Sequence, residues 1–311
     1  MKPLIAGFPN GLVPFHRPIH MTIGTYDGVH KGHQALLKTL IGGAKAAGAE
    51  SMVVTFDPHP RCVLDPNNCP ASLTVLDERI WLLEELGIDH IVVIQFTDEV
   101  AGLTPFAFMK RLTRGMPLRR VVIGENFRFG RGRRGDAELL RRLGARQGFE
   151  VEVVRPVERG REPISSSRIR RLVLLGQMRA ATQLLGRDYF IRSIVEHGAK
   201  RGRKLGFPTA NLRIARNKLI PPNAIYASRV DIDGHIHEGA TSIGFRPTFG
   251  ETRLTVEVFV FDFDGDLYDK LLTVWLVQRL RAEKRFVTVR ALQLQMAQDV
   301  ENARRVLSSV R

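Results

Sequence analysis

Short apolar strands alternate with helical segments through the first half of the chain, and no other feature limits the possible folds as strongly. Strand character occurs at 21–26, 51–56, 90–96, 121–124 and 149–154. Helical spacing or cap signals fill the stretches between them, at about 34–47, 77–86, 104–113 and 136–147. Because these strands are apolar on both faces, the pattern predicts a mostly parallel sheet with helices on both sides.

The character of the sequence changes after Gly186. Runs in which Thr, Val, Phe and Tyr alternate with other residues fill 189–196, 225–232, 235–243, 254–262 and 271–279. Asp-Gly pairs between runs indicate hairpins, so this half is predicted to be an antiparallel β-barrel or sandwich. Helices are expected at 164–176 and 178–185 before the change, and an amphipathic helix at about 289–307 after the strands. We therefore expect two domains, 1–186 and 187–311.

The charge balance is the unusual part of the composition. The chain has 47 Lys and Arg residues but only 32 Asp and Glu residues, which gives a net charge of +15. Such an excess is typical of proteins that bind nucleic acids or polyphosphates, and equally of proteins from an arginine-rich proteome, and composition does not choose among the three. Cys62 and Cys69 fit neither a CxxC nor a zinc-knuckle spacing, which predicts no disulfide scaffold or structural zinc and a reducing compartment, the cytoplasm. Without a long apolar run or a signal-peptide core, we expect no membrane association.

The segment GTYDGVHKGH (24–33) joins the first of these predicted strands to a helix. His30 and His33 fall three residues apart at the helix start, and Gly32 between them allows a ligand close to the backbone. Two imidazoles and the free N–H groups of the helix end would face one point, which suits a polyphosphate and a leaving pyrophosphate. The alternative is a pair of surface histidines held by ordinary hydrogen bonds.

The segment GENFRFGRGRRGD (124–136) contains the spacing GxGxxG at Gly130, Gly132 and Gly135, which by itself indicates a dinucleotide-binding turn. The preceding strand ends near Gly124, too early for such a turn. We therefore interpret the segment as a glycine-rich basic loop over a ligand site, with a solvated surface loop as the alternative.

Two further segments lie where parallel sheets bind ligands or where helices begin. FDPHP (56–60) puts Asp57 and His59 at the carboxyl end of a strand, although a rigid turn would use the same prolines. ISSSRIR (164–170) offers three hydroxyls and Arg168 at a helix start, either for phosphate oxygens or for simple capping.

The second half carries a long basic segment, HGAKRGRKLGFPTANL (197–212). It lacks the GxxxxGK[ST] spacing of a Walker loop, but its glycines can open backbone amides to phosphates. Thr209 and Asn211 lie two apart in an extended stretch, so their oxygen atoms point the same way and suit magnesium shared with a phosphate. A basic hairpin loop is the alternative.

Glu257 is a carboxylate inside the apolar strand segment LTVEVFVFD. Alternation puts it on the face that carries Thr255 and Phe259. A carboxylate among apolar side chains suits a general base for a hydroxyl. The alternative is an ion pair with a nearby arginine such as Arg253 or Arg279.

These segments resemble, in this order, those of the bacterial bifunctional riboflavin kinase/FMN adenylyltransferase (FAD synthetase) family. IGFRPTFG (243–250), the run 257–268 and LRAEKRF (280–286) extend the likeness, which covers about 20–307. The resemblance implies a parallel-sheet, Rossmann-like nucleotidyltransferase domain that joins FMN and ATP into FAD and pyrophosphate. It also implies an antiparallel six-stranded β-barrel with a terminal helix that phosphorylates riboflavin with ATP.

By that resemblance His30, His33 and Glu257 would be catalytic, with Glu257 taking the proton of the ribityl hydroxyl. The ATP-binding residues would be Gly24, Tyr26, Asp27, Gly32, Ser165, Ser166, Arg168, Gly198, Gly202 and Gly206. The flavin-binding residues would be Asp57, His59, Asn126, Phe127 and Arg128. Thr209 and Asn211 would bind the Mg²⁺ that accompanies ATP. The expected partners are riboflavin, FMN and ATP, with no nucleic acid, in a monomer or weak homo-oligomer.

The chain departs from the family pattern at a few positions. Tyr26 and Ser167 stand in place of a usual Phe and Thr. Ala224, Ser242, Phe259 and Asp269 stand where relatives usually have Gly, Asn, often His, and Gly. The competing hypotheses are a nucleic-acid-binding protein that uses the basic loops and an NAD-dependent oxidoreductase that uses the GxGxxG spacing.

Overall fold

The computed structural model describes residues 4–6, 15–197, 207–248 and 251–310. These form two compact units, divided between Ser166 and Ser167. The division lies ahead of the change in sequence pattern near Gly186, because the helices between the two positions belong to the second unit. Within that unit, the helix Met178–Leu185 packs against strands that begin at Tyr189 and Leu271.

The first unit is built on a six-stranded sheet in which every neighbouring pair of strands is parallel. Its strands are β1 (Leu4–Ala6), β2 (Ile19–Ile23), β3 (Glu50–Asp57), β4 (His90–Gln95), β5 (Leu118–Gly124) and β6 (Glu150–Val154). They lie in the order β1-β4-β3-β2-β5-β6. The predicted parallel sheet is confirmed, and β1 is a strand that the sequence pattern did not predict.

Helices connect these strands. They are α1 (Lys31–Ala46), α2 (Pro60–Leu64), α3 (Leu76–Glu85), α4 (Asp98–Gly102), α5 (Pro105–Leu112) and α6 (Ala137–Gln147). Thr104 caps α5 ahead of Pro105, as predicted, and Asp136 caps α6. The apolar strand residues on one face of the sheet and the inward faces of α5 and α6 share one buried core.

The strand order fixes where a ligand can reach the sheet. β2 lies between β3 and β5, and the chain builds outward from it in opposite directions. At such a switch point the loops leaving the carboxyl ends of the two central strands diverge and open a crevice. The loops after β2 and β5 therefore line the same edge of the sheet, and these are the loops that carry the histidine motif and Asn126.

The stretch between the two predicted domains folds locally. It contains a small hairpin of β7 (Glu158–Arg159) and β8 (Glu162–Pro163), followed by α7 (Ser166–Leu174) and α8 (Met178–Leu185). Gly186 ends α8 in a left-handed conformation, with φ at 83°.

The second unit is a closed antiparallel barrel. Its strands are β9 (Tyr189–Glu196), β10 (Ala210–Leu212), β11 (Ala224–Ile232), β12 (His235–Thr248), β13 (Glu251–Val260) and β14 (Leu271–Ala282). They close in the order β10-β13-β12-β11-β14-β9. The terminal helix α9 (Val289–Ser308) packs Ala303 and Leu307 against the barrel. The six-stranded barrel with a terminal helix is confirmed, and β10 is the strand that alternation did not reveal.

Cys62 and Cys69 form a disulfide, which corrects the expectation drawn from their spacing. Helix α2 and the turn Pro66–Asn68 fold back on each other and bring the two Cα atoms within 4.3 Å. A single local bridge of this kind leaves no recognisable motif in the sequence. The cysteine content therefore no longer supports a reducing compartment. In the described ranges, no helix is long and apolar enough to cross a membrane.

Candidate active sites

The turn between β2 and α1 holds the two predicted catalytic histidines together. His30 caps α1, because its Nδ1 accepts the backbone N–H of His33 at 3.3 Å. In neutral His30 the proton is therefore on Nε2. The two imidazole rings stack with their centroids 3.7 Å apart. A Cβ at Gly32 would lie 3.1 Å from the His30 ring, so glycine makes room for the stacked pair.

The Tyr26 side chain lies beneath this pair. Its ring meets the His33 ring edge-on, with centroids 5.1 Å apart. Its hydroxyl lies 2.6 Å from the hydroxyl of Thr22, which donates to the carbonyl of Val122 at 2.6 Å. Burial raises the pKa of Tyr26 well above its ordinary value. Gly24 admits this ring, since a Cβ there would lie 3.0 Å from it.

Asp27 is also buried, and it ties the turn to a distant segment. Its carboxylate accepts the N–H of Leu73 at 3.1 Å and the N–H of Thr74 at 2.9 Å. The Thr74 hydroxyl accepts the N–H of Gly28 at 2.8 Å. The side chains of Tyr26 and Asp27 are therefore engaged inside the protein and shape the turn that presents the histidines.

The serine motif reaches the same turn. Ser166 begins α7, and its hydroxyl donates to the carbonyl of Asp27 at 2.9 Å. Ser165 precedes it and is exposed, and Arg168 lies in the first turn of α7. The carbonyl of Ile164 comes within 3.6 Å of the position that a Cβ at Gly32 would take. The residues before α7 thus pack against the histidine turn.

Asp57 and His59 follow β3 at the carboxyl edge of the sheet. Asp57 ends the strand, and its carbonyl accepts the N–H of Phe96. His59 caps α2 through its Nδ1, which accepts the N–H of Arg61 at 3.1 Å. The buried Arg79 lies 3.8 Å from the Asp57 carboxylate. The predicted helix that contains Arg79 gave no sign of this contact.

The loop after β5 exposes Asn126 and Arg128 and half-buries Phe127, which stacks on Phe129 at 5.4 Å. Phe129 is buried and bridges Gly135 in the backbone. A Cβ at Gly135 would lie 2.5 Å from the Phe129 ring, and one at Gly130 would lie 2.6 Å from Pro105. Packing therefore explains these glycines, and the GxGxxG spacing is not a dinucleotide-binding turn.

The second site is a cavity of about 430 Å³ between the outer face of the barrel and the terminal helix. Thr209 and Glu257 both line it, and the Thr209 hydroxyl lies 3.4 Å from the Glu257 carboxylate. Asn211 is the strand partner of Glu257 across β10 and β13, and Ser242 is its partner on β12. Directly opposed residues share a face, so the predicted metal ligands and the predicted base come together.

The orientation predicted for Glu257 is confirmed. Thr255 and Phe259 line the same cavity, whereas Val256 and Val258 are buried on the other face of β13.

The cavity also has an apolar part, to which the barrel strands and the terminal helix with the loop before it both contribute. Its apolar side chains are Phe207, Ile225, Ala240, Phe259, Phe286, Leu292, Met296 and Val300. Arg281 of β14 holds the helix in place through two bonds to the buried Asp299, at 2.8 and 2.6 Å. This pair, whose members are 18 residues apart, leaves no local signal in the segment LRAEKRF that contains Arg281.

Three of the predicted ATP-binding glycines, Gly198, Gly202 and Gly206, lie outside the described residues.

Known protein families match the two halves of this chain separately. A family model described as FAD synthetase matches residues 13–168, and one described as riboflavin kinase matches residues 185–307. A bifunctional riboflavin kinase/FMN adenylyltransferase of Pseudomonas fluorescens is 39% identical over 97% of this chain and 96% of its own length. The protein of that name from Bacillus subtilis is 34% identical over 94% of this chain and 93% of its own length. The one from Escherichia coli K12 is 35% identical, over 91% of each.

A solved structure has the same fold over both units. It is titled as a macrolide-efflux protein from Streptococcus pneumoniae, and it covers 94% of this chain and 95% of its own, with a TM-score of 0.84 at 30% identity. Both matched domain models and the relatives that align over nearly their whole length lead to one assignment. The chain belongs to the family of bifunctional riboflavin kinase/FMN adenylyltransferases.

Proposed function

We propose that this chain makes FAD from riboflavin in two ATP-dependent steps, each in its own domain. The domain at 187–311 phosphorylates riboflavin to FMN, and the domain at 1–186 transfers AMP from ATP to FMN and releases pyrophosphate. The observation that carries the proposal is the meeting of Thr209, Asn211 and Glu257 at a cavity with an extensive apolar wall.

In the kinase step the planar, largely apolar flavin ring occupies the apolar part of the cavity. Its ribityl chain then points toward the polar side, where Glu257 lies. Glu257 accepts the proton of the terminal hydroxyl, whose oxygen attacks the γ-phosphorus of ATP while ADP leaves. The Arg281–Asp299 pair keeps the terminal helix, and with it the apolar wall, in position.

Magnesium fits this donor set. The hydroxyl oxygen of Thr209 and the amide oxygen of Asn211 are hard ligands on the cavity side of β10, beside a carboxylate. These two residues would hold Mg²⁺ shared with ATP, and the ion would neutralise charge on the phosphates.

In the adenylylation step an oxygen of the FMN phosphate attacks the α-phosphorus of ATP, and pyrophosphate leaves. His30 and His33 stand at the amino end of α1, where helix N–H groups and imidazoles favour negative charge. They stabilise the charge that develops on the leaving pyrophosphate. Ser165, Ser166 and Arg168 add donors for ATP phosphates, and no covalent intermediate is needed.

The residues that bind FMN lie at the carboxyl edge of the sheet. Asn126 and Arg128 leave β5 at the same edge as the histidine turn, and they bind the FMN phosphate. Phe127 presents a ring to the flavin. Asp57, at the end of β3, and His59 line the opposite side of the FMN site.

We further propose a cytoplasmic enzyme, because both steps consume ATP. It acts on riboflavin, FMN and ATP as a monomer or weak homo-oligomer and has no nucleic-acid partner.

Incubation of the purified protein with riboflavin, ATP and Mg²⁺, with FMN and FAD separated over time, tests both steps at once. We expect FMN to appear first and FAD to follow. Riboflavin that stays untouched would refute the kinase assignment. FMN that accumulates without FAD would refute the adenylyltransferase assignment.

A further inference from the structure

Arg79 is a buried cation that no part of the proposed mechanism uses. It lies on α3, and its side chain is 5% exposed. Burying a guanidinium is costly unless its donors find partners, so a buried arginine requires a reason. Burial lowers the pKa of Arg79, while the charges of Asp27 and Asp57 act in the opposite direction.

The guanidinium connects the histidine turn to the carboxyl end of β3. Its Nη1 donates to the carbonyl of Thr25 at 2.7 Å, one residue before Tyr26 in the histidine turn. Its Nη2 donates to the carbonyl of Phe56 at 3.1 Å, one residue before Asp57. One rigid planar group thus fixes the distance between the loop that carries His30 and His33 and the loop that carries Asp57 and His59.

Further hydrogen bonds tie the histidine turn to β3 and to the segment before α3. The hydroxyl of Thr55 on β3 also donates to the carbonyl of Thr25, at 3.2 Å. Asp27, from the histidine turn, binds Leu73 and Thr74, which lead into α3. The segment from Leu73 to Arg79 therefore binds the histidine turn at two places, the Asp27 carboxylate and the Thr25 carbonyl.

We propose that Arg79 is a positioning residue for FMN adenylylation, holding the phosphate-binding histidine turn at a fixed distance from the flavin-side loop after β3. The inference rests on the proposed adenylyltransferase function. It assigns Arg79 no contact with substrate. A displacement of a catalytic group by about 1 Å can cost about 10²-fold in rate, so a lost bridge between two loops should be measurable.

The test compares Arg79→Met and Arg79→Lys with Arg120→Met. Arg120 is the matched control, because it lies on β5 of the same sheet and pairs with Glu150 and Glu152 on the neighbouring strand. Riboflavin kinase activity of the same preparation corrects for the amount of chain, and a thermal unfolding scan of each variant reports whether the first unit is folded. Each variant is assayed for FMN adenylylation, with kcat and the KM for FMN and ATP determined separately.

We expect Arg79→Met to lower the adenylylation kcat by about 10²-fold at saturating FMN and ATP, with kinase activity unchanged. Arg79→Lys should recover part of the loss, because an ammonium can reach one carbonyl but not hold both in a plane. Arg120→Met should keep its kcat. If Arg79→Met fails to fold, Arg79→Lys and Thr55→Val, which removes the other donor to the Thr25 carbonyl, are each expected to lower kcat with kinase activity intact.

A purely structural role would lower the unfolding temperature of the Arg79 variants while each folded molecule kept the wild-type kcat, and that result would overturn the proposal. So would an equal loss in Arg120→Met. Failure of the wild type to convert FMN to FAD would instead refute the proposed function itself.

Discussion

The Tyr26 hydroxyl ends a buried hydrogen-bonded chain that runs through Thr22 to the carbonyl of Val122. Because Thr22 donates its only proton to that carbonyl, the Tyr26 hydroxyl is the donor to Thr22. This explains why a tyrosine can stand where relatives usually have phenylalanine. The ring supports His33, and the hydroxyl finds a partner already present in the core.

Tyr26→Phe should therefore destabilise the protein by about 1 kcal/mol and leave FMN adenylylation close to the wild-type rate. Thr22 keeps its bond to Val122, so no buried donor is left without a partner. Urea unfolding and the adenylylation assay check the two halves of this prediction. A rate loss comparable to that of a histidine variant would mean that the hydroxyl takes part in the reaction.

Alkaline pH should weaken the fold through the buried tyrosines. Burial raises the pKa of Tyr226 to about 12, and burial raises that of Tyr26 as well. A raised pKa contributes stability that is complete below the unfolded value of about 10 and is lost as pH climbs toward the folded value. The wild type's stability advantage over Tyr26→Phe should shrink between pH 8 and 11 in urea unfolding. An advantage that grew over this range would contradict the account.

A site residue could be identified from the sequence only where its signal lay in the neighbouring residues. Glu257, His30 and His33 stand out because their local pattern is unusual for their type. Arg79 and Asp299 look ordinary in their helices, and their partners lie far away in the chain. Their roles depend on tertiary structure, which no local pattern encodes. The positive φ of Asp269, 59°, gives a physical reason for the glycine usual there.

At the scale of elements, the long strands and helices were predictable because their hydrophobic periodicity is strong. The strands that escaped prediction, β1 and β10, are three residues each. A strand of that length shows no measurable alternation and is defined only by its neighbours. β10 is also the strand next to Thr209 that carries Asn211, so the pairing of these proposed metal ligands with Glu257 became visible only in the barrel.

The Cys62–Cys69 disulfide, in the segment after β3, can be tested by thiol labelling and by its effect on stability. A thiol-alkylating reagent should label no cysteine in the unfolded, unreduced protein and two after reduction. Replacing both cysteines by alanine should lower the stability of the first unit by roughly 2–3 kcal/mol, the loop-entropy effect of an eight-residue ring. Heat should then abolish FMN adenylylation at a lower temperature, with riboflavin phosphorylation as the internal control. Two labels without reduction would disprove the bridge.

At the scale of the whole molecule, the net charge of +15 first indicated nucleic acid or polyphosphate. Two clusters of basic residues, at 128–134 and 168–171, lie beside proposed phosphate sites. Arg131, Arg133 and Arg134 are exposed on the loop after β5. A further basic cluster, at 200–204, falls outside the described residues. Two ATP sites and a phosphorylated intermediate use such potential, so substrate chemistry explains much of the excess.

If one chain contains two separable active sites, two variants that each lack one activity should complement each other when mixed. Glu257→Gln should leave riboflavin untouched yet convert added FMN to FAD, and His33→Ala should turn riboflavin into FMN and stop there. Together in one tube, with riboflavin, ATP and Mg²⁺, they should produce FAD, because FMN released by one variant is used by the other. Glu238→Gln and His90→Gln, which change carboxylate and imidazole groups away from the proposed sites, serve as matched controls. If either variant, still folded, lost both activities and the mixture made no FAD, the assignment of one activity to each domain would be wrong.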